Sequence, residues 1–208
     1  MKCRVGILIS GRGSNMASLL AAAAQPHYPA SVALVLSNRA DAAGLETARA
    51  QGVPAEAVDH RPFRGDRAAH EEELLRRLAA AGVEYVCLAG YMRVLTRHFI
   101  GRFAGRMLNI HPSLLPAFPG LDTHARALAA GCTLHGCSVH LVTEELDGGP
   151  ILAQAAVPVL PGDDEVALAA RVLVQEHRLY PLALRRLIEG EAAWAAADAA
   201  LLNPLPAG

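Results

Sequence analysis

Short, nearly continuous apolar runs alternate along this chain with longer segments whose apolar residues recur at helical spacing. Arg4 to Ser10 (RVGILIS), Ser31 to Ser37 (SVALVLS), Pro54 to Val58 and Tyr85 to Ala89 (YVCLA) read as strands, the longer ones buried on both faces. Between them, Met16 to Ala24 and Ala42 to Gln51 have helical composition, the second closed by Gly52. Ser14 or Asn15 is the predicted N-cap of the first helix. Arg67 to Ala81 is amphipathic, with Leu74, Leu75 and Leu78 on one stripe and Gly82 as its stop. The run Glu71, Glu72, Glu73 on that helix reads as a solvated face. Thr96 caps a short helix that leads into a strand at Met107 to His111. Strands and helices in regular alternation predict an α/β, Rossmann-like fold. Its twisted, mostly parallel sheet carries helices on both faces and a ligand cleft at the carboxyl ends of the strands.

Beyond that strand the pattern loosens. Pro112 ends it, Pro116 stiffens the exit, and Ala117 to Leu121 is a loop before a helix from Asp122 to Ala130. Gly136 to Thr143 and Ile151 to Val159 read as paired strands flanking Glu144-Glu145-Leu146-Asp147-Gly148-Gly149-Pro150. Asp163, Asp164 and Glu165 open a long helix whose apolar stripe is Val172, Leu173, Leu179 and Tyr180. Glu176 falls within that stripe, and a carboxylate there needs a core salt bridge or a ligand. Pro181 is expected to kink or interrupt the helix, which resumes to Glu189 and stops at Gly190. We divide the chain into a single domain over 1–190, with a phosphate-binding half over 1–105 and a catalytic half over 106–190, and a C-terminal segment and tail over 191–208.

Composition narrows the function classes. The net charge of −1, from 19 basic and 20 acidic residues among 208, argues against a nucleic-acid partner. Small anions remain suitable ligands, because backbone donors bind them without a basic patch. No signal peptide or membrane span is visible, so no membrane partner is expected. Cys3, Cys87, Cys132 and Cys137 form no disulfide framework, which points to a reducing cytoplasm. Cys132, His135, Cys137 and His140 invite a metal reading, but their spacing matches no zinc pattern, and no metal is expected.

Two stretches carry the chemistry. Gly11-Arg12-Gly13-Ser14-Asn15 is a glycine turn between strand and helix, where backbone N–H groups and the helix dipole suit phosphate. It is no Walker A loop, and Met16 stands where a dinucleotide fingerprint has its third glycine. Arg39 as a 2′-phosphate reader keeps a nicotinamide reading open, and a plain tight turn is the other alternative. In Met107-Leu108-Asn109-Ile110-His111-Pro112, Leu108 and Ile110 are buried strand positions, so Asn109 and His111 project together from the other face. An amide there polarises a developing oxyanion and an imidazole moves a proton; two satisfied polar caps are the plainer alternative. Asp147 by itself reads as a turn residue.

Three stretches taken together, Ile9 to Asn15, Leu108 to Pro116, and Asp147-Gly148-Gly149-Pro150, resemble the phosphoribosylglycinamide formyltransferase family, folate-dependent enzymes of purine biosynthesis. The resemblance runs in order from the first strand to at least Pro181. It implies attack by the amine of glycinamide ribonucleotide on the formyl carbon of 10-formyltetrahydrofolate, the co-substrate, with Asn109, His111 and Asp147 catalytic. By the same resemblance Gly13, Ser14, Asn15, Leu173, Val174, Gln175 and Glu176 bind the ribonucleotide. Arg67, Met92, Arg93, Val94, Leu95, Asn109, Thr143, Glu144, Glu145, Leu146 and Asp147 line the folate site. Many relatives carry His at the position of Asp122, so the chain departs from the family pattern there. A carboxylate at Asp147 would stabilise the His111 imidazolium, and the protein is expected as a monomer or homodimer.

Two related families share the Asn–His–Asp arrangement. Methionyl-tRNA formyltransferases add a C-terminal nucleic-acid-binding domain, for which no room is expected after Gly190. Formyltetrahydrofolate hydrolases add an N-terminal regulatory domain, whereas here the first strand begins at residue 4. A non-catalytic nucleotide-binding module is the remaining alternative.

Overall fold

The elements follow one another as β1 (Cys3–Ile9), α1 (Ser14–Ala23), β2 (Ala30–Ser37), α2 (Ala43–Ala50), β3 (Ala55–Ala57), a 3-10 turn (Arg61–Phe63), α3 (Arg67–Ala80), β4 (Tyr85–Leu88), α4 (Arg97–Arg102), β5 (Met107–His111), α5 (Thr123–Ala129), β6 (Leu134–Leu141), β7 (Ile151–Pro158) and α6 (Glu165–Glu189). This computed structural model describes residues 2–190, and the C-terminal segment and tail predicted over 191–208 lie outside them. The strands are ordered β3-β2-β1-β4-β5-β6-β7 in a seven-stranded sheet. Pairings among β1 to β5 are parallel and β6 pairs with β7 antiparallel, so the mostly parallel α/β fold expected from the alternation is present. The described residues form two compact units that divide after Asn109, inside β5.

In the first unit β1 lies between β2 and β4. Val5, Ile7, Leu8 and Ile9 are completely buried, which is why this strand reads as an unbroken apolar run. The helix stripe of α3 buries Leu74 and Leu78 completely. Two expectations are corrected here. The N-cap of α1 is Gly13, at φ 75°, with no side-chain cap; Ser14 and Asn15 are the first helical residues. The turn from β1 into α1 requires a left-handed residue, which glycine adopts without a Cβ penalty. The Glu71–Glu73 run is not a uniformly solvated face. Glu71 is only 3% exposed, and its carboxylate accepts from the Thr96 backbone N–H at 3.0 Å and from the Thr96 hydroxyl. Thr96 in turn caps α4 by accepting from Phe99 N. A carboxylate is thus buried because it satisfies the donors at another helix's start.

In the second unit α6 packs on β6, β7 and α5. Its buried positions Leu168, Val172, Gln175, Glu176, Leu179, Tyr180, Ala183 and Leu184 follow helical periodicity, whereas Leu173 is only half-buried. Asp164 caps the helix by accepting from Ala167 N at 2.8 Å, and Asp163 forms a two-pronged ion pair with Arg171. Of the two outcomes expected at Pro181, a kink or an interruption, the interruption does not occur: the helix is continuous over 25 residues. Proline removes one hydrogen bond to the residue 177 carbonyl, but Leu179, Tyr180, Ala183 and Leu184 around it are all at most 2% exposed, and their packing holds the turn.

Candidate active site

Within the first unit the glycine turn is shaped by its neighbour α2. Gly44 N donates to Gly11 O at 3.1 Å, and a Cβ on Gly13 would sit 3.1 Å from the Gly44 Cα. Glycine is therefore needed at position 13 for its backbone angle and for this approach. The fully buried Met16 fills the space below the turn, with its Cε 3.1 Å from the same Cβ position. This is what stands in place of a third fingerprint glycine.

Ser10, just before the turn, donates from Oγ to Asn38 Oδ1 at 2.5 Å and accepts from Met92 N at 2.8 Å. It ties the end of β1 to the loop that follows β4. That loop carries Met92, Arg93, Val94 and Leu95. Met92 is 70% exposed and Val94 57% exposed, while Leu95 is buried. Anchored by Ser10 at one end and by Glu71 through Thr96 at the other, the loop presents two apolar side chains on a held backbone. Arg93 lies close enough to His70 of α3 to add to the burial that lowers the His70 pKa. Arg67, the first residue of α3, is exposed.

Within the second unit His111, at the end of β5, is 6% exposed. Its Nε2 donates to the Phe118 carbonyl at 3.0 Å. A carbonyl only accepts, so Nε2 holds its hydrogen and the ring's other nitrogen is Nδ1. Nδ1 lies 3.6 Å from Asp147 Oδ2, in a carboxylate 8% exposed. Asp147 sits in the left-handed region at φ 53° and accepts from Gly120 N through Oδ2 at 2.9 Å. Its other oxygen is 3.7 Å from His140 Nε2. His140 donates from Nδ1 to Leu141 O at 2.9 Å, and burial, ahead of every other cause, lowers its pKa. The Gly120 N–H holds the Asp147 carboxylate from the side of the 118–121 loop.

The loop after His111 is fastened from beneath. The buried Ser138 hydroxyl donates to Ser113 O at 2.7 Å and accepts from Leu115 N, while Gln154 donates to Leu115 O at 2.9 Å. A Cβ on Gly149 would run into Leu141 O, so the second glycine after Asp147 lets the ends of β6 and β7 close. Thr143, Glu144, Glu145 and Leu146 form the loop between those strands, with Glu144, Glu145 and Leu146 exposed. On α6 Gln175 and Glu176 are buried, Leu173 is half-buried and Val174 is exposed. The Glu176 carboxylate contributes to the raised pKa of Cys137, after burial itself. Asn109 is half-buried on β5, between the buried Leu108 and Ile110.

Three of the four residues of metal-like spacing have other partners or surroundings. His135 meets His124 at 3.1 Å, His140 faces Asp147, and Cys137 is fully buried on β6. Among the described residues no group of three or more His, Cys, Asp or Glu side chains is placed to hold a metal ion, and no helix is long and apolar enough to cross a membrane. Sequence reasoning missed the Phe118 carbonyl, the Gly120 N–H and the His140 imidazole as members of the His111–Asp147 cluster. The first two are backbone groups without a residue signature. His140 had only its place on a predicted strand.

A parallel α/β chain with a buried imidazole–carboxylate pair at a strand's carboxyl end has the make-up of an acid–base enzyme. The chain belongs to the formyl transferase family, whose model matches residues 3–184. It is 46% identical over 184 residues to the phosphoribosylglycinamide formyltransferase of Escherichia coli, covering 88% of this chain and 86% of that protein. It is 48% identical over 190 residues to the trifunctional purine biosynthetic protein adenosine-3 of Drosophila pseudoobscura pseudoobscura, covering 90% of this chain but only 14% of that protein. Among solved structures, the phosphoribosylglycinamide formyltransferase of Brucella melitensis superposes with a TM-score of 0.87 at 54% identity, over 90% of this chain and 96% of that one.

Proposed function

We propose that the chain transfers a formyl group from 10-formyltetrahydrofolate to the amine of glycinamide ribonucleotide, the phosphoribosylglycinamide formyltransferase reaction of purine biosynthesis. The observation that carries this reading, in a chain of this family, is the geometry of His111. One imidazole nitrogen is committed to the Phe118 carbonyl and the other stands beside the Asp147 carboxylate. The amine forms a bond to the formyl carbon, and the carbonyl oxygen becomes an oxyanion. The Asn109 side-chain N–H donates to that oxyanion. His111, through Nδ1 or a water it holds, takes the proton from the attacking nitrogen and returns it to the folate nitrogen as the carbon–nitrogen bond breaks. Asp147 stabilises the imidazolium in the interval. No covalent enzyme intermediate is formed.

Gly13, Ser14 and Asn15 hold the ribonucleotide phosphate on backbone donors, and Leu173 to Glu176 contact the rest of that substrate. Met92 to Leu95, Arg67 and the Thr143–Asp147 loop bind the folate. The exposed apolar Met92 and Val94 on an anchored backbone suit a flat ring system. The test is to supply 10-formyltetrahydrofolate with glycinamide ribonucleotide, with initiator methionyl-tRNA, or with water alone. Consumption of the donor only with the ribonucleotide is expected. Consumption with the other acceptors, or none at all, overturns the assignment.

A further inference from the structure

We propose that Arg126 of α5 is a positioning residue for catalysis, acting through the backbone of the 118–121 loop on both His111 and Asp147. The loop is the meeting point of the two catalytic groups: Phe118 O accepts from His111 Nε2, and Gly120 N donates to Asp147. It is also conformationally costly. Phe118 at φ 53° and Asp122 at φ 55° are left-handed without being glycine, with Gly120 at φ 79° between them. Such residues are strained and persist only where their surroundings hold them.

Arg126 supplies that hold. Its Nη1 donates to Pro119 O at 2.6 Å and to Leu121 O at 3.3 Å, so the guanidinium bridges the two carbonyls on either side of Gly120. Its Cζ lies 5.5 Å from the centre of the Phe118 ring. Neighbouring anchors grip only the loop's ends: Ser113 Oγ donates to Ala117 O, and Thr123 Oγ1 to Pro112 O. The backbone of 118–121 takes side-chain hydrogen bonds from His111, Asp147 and Arg126. The first two are the groups being positioned. A cation with several donors in one plane is suited to bridging two carbonyls, and a lysine ammonium reproduces only part of that geometry.

The inference rests on the formyl-transfer reading for its kinetic arm but not for its spectroscopic one. In the full chain, the His111 Nε2 proton, held on Phe118 O, should give a slowly exchanging imidazole N–H resonance. Arg126→Ala should broaden or abolish it and lower kcat about tenfold, short of the ~10²-fold cost of a full ångström displacement. KM for both substrates should stay within about twofold, since the loop contact is expressed on the reacting groups. Arg126→Lys should fall between the two, and carries the same comparison if the alanine variant does not fold. An unchanged resonance with unchanged kcat overturns the proposal. So does a loss of thermal stability with the resonance and kcat of the folded protein intact, because a merely structural role predicts that result. A wild-type protein that transfers no formyl group defeats the functional reading, while the resonance still decides the part played by Arg126.

Discussion

Replacing Asp147 by Asn isolates the charge that this cluster places beside His111. The substitution is nearly isosteric, and Asn tolerates the left-handed backbone seen at φ 53°, so no new strain is added. The amide oxygen can still accept from Gly120 N, now at 2.9 Å from Asp147 Oδ2. The amide N–H₂ then faces His140 Nε2, which lies 3.7 Å from the Asp147 carboxylate. The fold should therefore lose little. What disappears is the attraction between the carboxylate and an imidazolium 3.6 Å away. At an effective dielectric near 20, charges about 4 Å apart attract by about 4 kcal/mol. Expressed fully in the transition state, that is a factor of about 10³ in rate. The amide dipole recovers part of it, so kcat should fall by about 10²–10³. KM for the ribonucleotide should move less than about threefold. The assay is steady-state formyl transfer with each substrate varied, alongside thermal melting. A variant that keeps more than about a third of wild-type kcat, far outside that range, would mean that Asp147 is a turn residue and the pair is not catalytic.

Further outcomes test other parts of the molecule. Gly13→Val places a branched side chain at φ 75° and 3.1 Å from Gly44 Cα; KM for the ribonucleotide should rise well above that for the folate donor, and equal rises would count against a separate phosphate turn. Ser10→Ala removes the acceptor of Met92 N; KM for the folate donor should rise roughly three- to tenfold, the worth of one hydrogen bond, with recovery in Ser10→Thr, and an unmoved KM would dismiss the loop anchor. Burial, then the nearby His124, lowers the His135 pKa from 6.5 to about 4. The unfolded chain therefore binds this proton first, and stability should fall as pH drops from about 6.5 to about 4, by roughly 3 kcal/mol at most. Urea midpoints at pH 7 and pH 5 should diverge less in His135→Gln, and an identical decline in that variant would exclude His135 as its source.

Much of the architecture is local and therefore legible in the chain. A strand buried on both faces has to be continuously apolar, as β1 is, and helix stops at Gly82 and Gly190 mark where a left-handed residue is needed. The turn at Gly11 to Asn15 and the Asn109–His111 spacing are legible for the same reason: their chemistry depends on residues close in sequence. What the chain could not show by itself is which distant groups answer them. Glu71 reads as part of a solvated run, yet it is buried because its partner, Thr96, lies 25 residues away. His140 reads as one member of a metal-like group, and only the meeting of β6 with the Asp147 loop shows it facing a carboxylate instead. Pro181 reads as a kink or an interruption, but the helix continues through it because the packing around it outweighs one missing hydrogen bond. Phe118 O and Gly120 N could not be read at all, since a backbone carbonyl and N–H occur at nearly every residue and acquire a role only through the fold. Residue order along the chain sets which side chains are available for the chemistry and the period of the elements that carry them. Tertiary structure decided the partners, because desolvation and hydrogen bonding act between groups that are near in space and take no account of their separation along the chain.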